Sequence, residues 1–495
     1  MSIKWDSQAA DMVDQAPALV RTMIKKRVEA FAHKRGIKLV TPELVTSLRE
    51  KQGKHKPKKF NISDLYANSE NPLTNAFDSK NGIHIFSQGD QLARKDIPKF
   101  WADSIVRPVA SDMQNCLYIH IPFCKSRCVF CPFFANKWNK DELQKYCDYL
   151  IREIKLLENT TLAQADLDAV YFGGGTPSDL NPDQLADIMQ ALHSTVKITA
   201  KTEVTLEGRI FGHTPDLTKA ALDNGVNRFS FGVQSFNTKI RRSLGRKDDR
   251  SYIIKFLNSL AEKNAAVVID LIYGLPGQTM QDWLADLKCL TEETQIDGVD
   301  LYKLKTIPGS TVDDLIDSGK LPGKADHALQ AEMFAAGCEF MSGRNWQQLS
   351  NVHWRQTERE NSIYNLLAKA GANCIPLGCG SGGRIHNHRV MQSGDLDKYY
   401  SYVDQDIKPV TFAQTFQKNI ATVDAIILQS ERGYLEPGKW SGLEPGHYTL
   451  LGKLFKQWSQ AGLCREESAG VYRLTVAGQY WAVQMGTKLV TLINQ

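Results

Sequence analysis

Between residues 117 and 304, short apolar runs alternate with longer stretches whose apolar positions recur every three or four residues. The short runs predict strands at 117–122, 168–172, 202–207, 227–232, 266–272 and 298–304. The intervals predict helices. The clearest carries Leu143, Tyr146, Cys147, Leu150, Ile151, Ile154 and Leu157 on one face, which makes Cys147 a core residue. Six such units make an α/β fold with a parallel sheet under covering helices. Six is too few for a closed eight-stranded barrel, so an open (β/α)6 partial barrel is expected, its site at the carboxyl ends of the strands.

The flanks follow other periods. Val13, Ala16, Val20, Ile24, Val28 and Phe31 predict helix over 8–33, ended by Gly36. Thr41 and Pro42 start a second helix as N-cap and first helical residue. Lys51 to Lys59 reads as a basic tether. Past residue 320 a helix is expected at about 325–341, a strand near 345–352, then the glycine-rich run Leu377-Gly-Cys-Gly-Ser-Gly-Gly-Arg384. The last 90 or so residues read as a helical module: a helix from Gly446, a short strand at 471–475 and a closing helix from Gly478, a winged-helix-like order. The expected division is a helical module at 1–50, a linker and lead-in at 51–110, the barrel at 111–320 and a covering C-terminal domain at 321–495.

Composition adds limits. The chain has 495 residues, 42% hydrophobic and 23% charged, an ordinary globular balance. It shows no run of 18 apolar residues and no signal-peptide core, and ten cysteines fit a reducing compartment, so a cytoplasmic location is expected. The net charge of +5 is uneven: residues 1–60 carry 14 basic and 6 acidic side chains. Such an arm can meet nucleic acid, membrane or a small anion, or be a solvated face; no nucleic-acid partner is expected.

The chemistry concentrates in Tyr118-Ile-His-Ile-Pro-Phe-Cys-Lys-Ser-Arg-Cys-Val-Phe-Cys131, directly after the first strand. Cys124, Cys128 and Cys131 form a CxxxCxxC array. Three buried core cysteines or a zinc loop are the alternatives, but zinc loops come as paired CxxC or CxxC with histidines, and no second pair lies nearby. Three thiolates can instead hold three corners of a 4Fe–4S cube and leave one iron open.

With Tyr118 and Phe130 around it, this array resembles the radical S-adenosylmethionine (SAM) superfamily. The resemblance implies a 4Fe–4S cluster whose free iron chelates SAM and a reductive cleavage to a 5′-deoxyadenosyl radical. Tyr171-Phe-Gly-Gly-Gly-Thr-Pro177 matches that family's SAM-amino segment, which carries the role onto Gly174, Gly175 and Thr176. Thr205-Leu-Glu-Gly-Arg209, Phe231-Gly-Val-Gln-Ser-Phe236, Arg241 to Lys247 and Val268 to Gly277 resemble the oxygen-independent coproporphyrinogen III oxidase branch. By that match Glu207, Gln234, Arg246 and Asp270 would contact SAM; a surface cation and a strand-end cap are the plain alternatives for Arg246 and Asp270.

Within the branch, the decarboxylases carry a further cysteine two places after the third cluster cysteine, where this chain has Phe133. Pro72 to Phe77, Thr205 to Arg209, Pro376 to Arg384 and Leu474-Thr-Val-Ala-Gly-Gln-Tyr-Trp481 resemble the anaerobic haem-degrading radical SAM methyltransferases, the anaerobilin synthases. That implies methyl transfer to haem, ring opening to a linear tetrapyrrole and iron release, with a low-potential electron donor such as a flavodoxin or flavin reductase. A haem chaperone and a coproporphyrinogen decarboxylase of the same branch are the alternatives. Trp5, Ala16 to Arg21, Lys25 to Glu29 and Thr41 to Val45 are similar to a small domain of light-independent protochlorophyllide reductase. His353, His386 and His388 are candidates for haem iron and Arg209 and Arg384 for its propionates; His120 is read as structural.

Overall fold

The computed structural model describes residues 3–14, 24–25, 28–33, 35–53, 60–78, 85, 89–131, 136–306 and 310–495. Phe133, most of the tether and the centre of the first expected helix lie outside them.

The six expected strands all form: β1 (Asn115–Ile121), β2 (Ala169–Gly174), β3 (Glu203–Gly208), β4 (Arg228–Gln234), β5 (Ala266–Tyr273) and β6 (Gly298–Lys303). Each pairs in parallel with the next in sequence order. Helices cap their own starts. Asn139 accepts from the Asp141 and Glu142 backbone to begin Lys140–Lys155, and Asn181 with Gln184 forms a capping box for Pro182–Thr195. The helices cover one sheet face, where Leu117, Ile119, Phe172, Phe229, Phe231, Val267 and Ile269 are buried.

The sheet runs past the barrel at both ends, to 13 strands. Beyond β6 lies the antiparallel strand β7 (His353–Arg355). Beyond β1, the run past residue 370 continues the sheet: β8 (Asn373–Leu377) pairs in parallel with β1, followed by antiparallel β9 (Gly382–Ile385), β10 (His388–Gln392) and β11 (Val410–Phe416). Glu153, fully buried, fixes this extension. It accepts from Lys408 Nζ at 2.5 Å, Tyr399 Oη at 2.6 Å, Gln392 Nε2 at 2.7 Å and Gly378 N at 2.8 Å. A buried carboxylate is tolerated because every lone pair has a donor.

The last 75 residues follow the expected order, with helices Ile420–Glu431, Pro445–Gln460 and Ala482–Ile493 around a three-stranded sheet. The lead-in laces onto this unit. Gln457 exchanges two hydrogen bonds with the Ala67 backbone at 2.7 and 2.9 Å, Trp458 Nε1 donates to Leu65 O at 3.2 Å, and Trp481 Nε1 lies 3.0 Å from both Pro72 O and Leu73 O. Two of the motifs singled out in the sequence, Pro72–Phe77 and Leu474–Trp481, thus pack on each other, Phe77 edge-on to Trp481 at 5.6 Å.

At the other terminus, parallel strands Lys4–Trp5 and Leu39–Val40 and the helices Ser7–Asp14 and Pro42–Gly53 share a small core of Ala9, Val13, Val28, Ala32, Val40 and Val45. Thr41 accepts from Leu44 N, as expected of an N-cap. Lys51 to Gly53, read as the start of the tether, finish the helix.

Candidate active site

Alternation along a strand sends every second side chain inward. On β1 to β6 the inward series carries Tyr118 and His120, Tyr171, Glu203 and Glu207, Arg228 and Gln234, Asp270 and Asp300, among apolar residues such as Cys116, Ala169 and Val268. The cysteine loop leaves the carboxyl end of β1, and Gly175 N donates to Ile121 O at 2.8 Å, which sets that loop beside the end of β2.

Three contacts shape that loop. The segment Phe123–Cys124 pairs with Asn136–Lys137, Trp138 N donates to Cys124 O at 3.0 Å, and Cys131 N donates to Cys128 O at 3.2 Å. Cys124 and Cys128 are buried and Cys131 half-buried. Thr176 Oγ1 lies 3.2 Å from Cys124 Sγ. Arg209 spans the loop, donating to Ser126 O at 2.7 Å, to Ser126 Oγ at 2.5 Å and to Cys128 Sγ. Arg246 also acts on Cys128, and its Cζ stands 5.8 Å from the Phe130 ring centre. Burial pushes the Cys124 thiol up to about 11, against the Thr176 bond and the Arg209 charge.

Hydroxyl and guanidinium donors aimed at sulfur suit thiolates that carry charge on a metal. Among the described residues no three His, Cys, Asp or Glu side chains gather around one point as ligands of a single ion do.

The glycines of 173–175 have packing reasons. A Cβ on Gly175 would lie 2.5 Å from Phe123 O, and one on Gly174, whose φ is 110°, 2.6 Å from the His120 ring. Only glycine lets this turn lie against the cysteine loop.

Two buried polar atoms at this end have no hydrogen-bond partner among the described residues. Gln234 sits at φ 73°, and its Oε1 is buried and unpaired; so is Arg246 Nε. Arg246 Nη1 donates to Gly232 O. A buried polar atom without a partner costs about 1–3 kcal/mol, which makes such atoms candidates for a missing ligand. Below them, Glu207 receives a bond from Tyr171, and burial raises its carboxyl to about 7. Burial and then the facing Asp300 and Glu207 hold Asp270 well above the usual carboxylate range. Tyr118 forms the wall of this chamber. It stacks on Tyr171 at 6.3 Å and Tyr364 at 6.0 Å, its hydroxyl 3.1 Å from His120 Nδ1.

The amino end of the lumen is closed by ion pairs that the sequence reading missed. Arg228 makes a bidentate contact to Glu360, 2.9 Å to Oε2 and 3.1 Å to Oε1. His353 nitrogens lie 3.1 Å from Asp300 and 3.0 Å from Glu360. Burial opposes charge on His353, but the two carboxylates outweigh it and raise it to about 9; burial likewise opposes the Glu360 charge, yet Arg228 and His353 hold it down to about 2. The available signal was a set of polar residues at alternate positions of otherwise apolar strands.

This corrects the haem-contact expectations. His353 is 3% exposed and held as a cation between carboxylates, so it offers no lone pair to iron. His386 and His388 do not face the mouth. Arg384 pairs with Cys374, which pairs with Cys116, and His386 N bonds Asn373 Oδ1 at 2.7 Å, so both histidines stand at the amino end of the sheet. Arg384 is there too, bound to Asp424 at 2.7 Å. Arg209 is committed to the cysteine loop.

Comparison with known proteins fits this picture. The family model for the radical SAM superfamily matches residues 118–290, and that for the proto-chlorophyllide reductase 57 kD subunit matches residues 5–49. Anaerobilin synthase of Escherichia coli O157:H7 is 35% identical over 84% of this chain and 94% of its own. Heme chaperone HemW of Lactococcus lactis is 32% identical over 58% of this chain and 73% of its own. The coproporphyrinogen III oxidase HemN structure from Escherichia coli superposes with a TM-score of 0.68 at 20% identity, covering 79% of this chain and 93% of that one. Among the described residues no helix is long and apolar enough to cross a membrane. The chain therefore belongs to the radical SAM superfamily, whose members use a 4Fe–4S cluster and SAM, and within it to the branch of the oxygen-independent coproporphyrinogen III oxidases and their haem-handling relatives.

Proposed function

We propose that this chain acts on haem under anaerobic conditions, transferring a methyl group and opening the porphyrin ring to a linear tetrapyrrole with release of iron. The observation that carries the reading is the extent of the likeness to anaerobilin synthase, which spans 94% of that protein and so takes in sequence on both sides of the barrel. The cysteines Cys124, Cys128 and Cys131 would hold the cluster, and Gly174, Gly175, Thr176, Glu207, Gln234, Arg246 and Asp270 would hold SAM, with Tyr118 and Phe130 as walls. When bound, the cluster supplies the electron that cleaves SAM.

The chain's own residues prepare that chemistry. Thr176 donates to Cys124 Sγ and Arg209 to Cys128 Sγ, and such donors would stabilise the more negative reduced state of a cluster held there. The buried Arg246 Nε and Gln234 Oε1 offer one donor and one acceptor to a ligand at the mouth. Glu207 and Asp270 set acidic groups below it, suited to a cationic cofactor.

The test is anaerobic incubation of the cluster-loaded protein with haem, SAM and a low-potential reductant, followed by optical and mass spectrometry. Loss of the haem band with a methylated linear tetrapyrrole is the expected result. Formation of 5′-deoxyadenosine with haem intact sinks the degradation reading. Stoichiometric uptake and return of intact haem supports the chaperone alternative, and turnover of coproporphyrinogen the decarboxylase.

A further inference from the structure

The lumen holds more acid than base. Glu203, Glu207, Asp270, Asp300 and Glu360 converge there, and the cations set among them are Arg228 and His353, with Arg246 at the mouth. Part of this set is tightly paired, as described above: Arg228 on Glu360, His353 between Glu360 and Asp300. Glu207 and Asp270 are not. Asp270 lies beside Asp300 in register on the neighbouring strand, and no ion pair with a cation forms at Glu207 or Asp270 among the described residues. Side chains this close cannot all be ionised, because like charges in a dry space raise one another's hold on protons.

SAM carries a permanent positive charge at its sulfonium, which chelation of its amino group by iron does not remove. We propose that binding of SAM expels a proton from the Glu207–Asp270 pair, and that His353 and Glu360, which do not reach the cofactor, set the pH at which this happens. The step is a simple ionisation: one carboxyl O–H bond breaks, the proton passes to buffer, and the carboxylate left behind faces the incoming positive charge. This inference rests on the reading that Glu207 and Asp270 face SAM.

The surroundings of Glu207 define the expectation. From β1 it faces Tyr118, from β2 Tyr171, from β4 Arg228, from β5 Asp270 and from β6 Tyr302. His120, on β1, is held neutral by burial, down at about 4. The tyrosines stay protonated because burial raises them, so the groups that can change charge near neutrality are the two carboxyls, with Glu207 at about 7. His353 and Glu360 act at one remove and in opposite senses. His353 offsets the charge of Asp300, which otherwise presses on Asp270. Glu360 occupies Arg228, which otherwise offsets Glu207. Both are positioning residues.

The experiment is equilibrium dialysis of labelled SAM against cluster-loaded, oxidised protein between pH 6 and pH 8, with calorimetry in two buffers of different ionisation enthalpy to count released protons. SAM affinity is expected to rise about tenfold across that range in the native chain, from titration of one group near 7, and to release protons. Glu207→Gln is expected to remove most of the slope while leaving whatever SAM's own titration contributes. His353→Gln should move the midpoint to higher pH and Glu360→Gln to lower pH. A purely structural role would shift neither, or both the same way. Equal slopes in native protein and Glu207→Gln, no proton release, or midpoints moving together would overturn the inference. If Glu207→Gln and Asp270→Asn bind SAM as the native protein does at every pH, the underlying assignment of these residues to SAM fails instead.

Discussion

The two ends of the barrel lumen are built from the same residue types and differ in whether opposite charges stand beside one another. Toward the amino end Arg228 closes on Glu360, and His353 bridges from Glu360 at 3.0 Å to Asp300 at 3.1 Å, which stands level with Asp270. At the carboxyl end, among the described residues, Gln234 Oε1 and Arg246 Nε are buried without partners, and Glu207 and Asp270 form no ion pair with a cation. Folding tends to leave buried polar atoms paired. The paired end therefore reads as architecture and the unpaired end as a place kept for something else.

Breaking the paired end should cost stability. Glu360→Ala leaves the Arg228 guanidinium buried without its carboxylate, so unfolding free energy is expected to fall by about 3–5 kcal/mol, read by urea titration. Glu360→Gln, which keeps shape and one acceptor, should cost less.

A pH series sharpens the same point. His353 goes from its usual 6.5 to about 9 on folding. A group whose hold on its proton is raised stabilises the fold fully below its unfolded value, and that stability is lost as pH rises through the folded one. Between pH 6.5 and 9 this contribution, about 3 kcal/mol, should fade, and His353→Gln should remove that slope from the stability curve. A native curve that stays level over this window would mean that His353 is neutral in the fold.

The unpaired end should behave in reverse. Arg246→Met removes a buried cation with an orphaned Nε, so stability without SAM is expected to change by no more than about 1 kcal/mol, while SAM binding weakens. A large loss of stability there would erase the contrast between the ends.

How far the sequence reached follows the same division. The six strands fall within two or three residues of their expected positions at their starts, because alternating runs between amphipathic helices leave little choice of period. The cysteine loop was legible since its three ligands are local in sequence. The lumen pairs were not: Arg228 and Glu360 are 132 residues apart and meet only because β7 returns beside β6. His386 and His388 misled for a related reason. Nothing local says that β9 and β10 run antiparallel, and that reversal carries both histidines to the amino end. The glycine-rich run at 377–384 gave a turn signal, and its use, joining β8 to β9 beside the barrel, depended on the buried Glu153 more than 200 residues earlier.

The lacing of residues 65–73 onto the final helices has a temporal consequence. Ala67 and its partner Gln457 are separated by 390 residues. A ribosome makes the lead-in 390 residues before its partner, so the nascent lead-in waits through synthesis of the whole barrel. Contacts this distant carry the largest closure cost and form late. The strands of the barrel are all made before Gln457, so the barrel can assemble before this clasp closes.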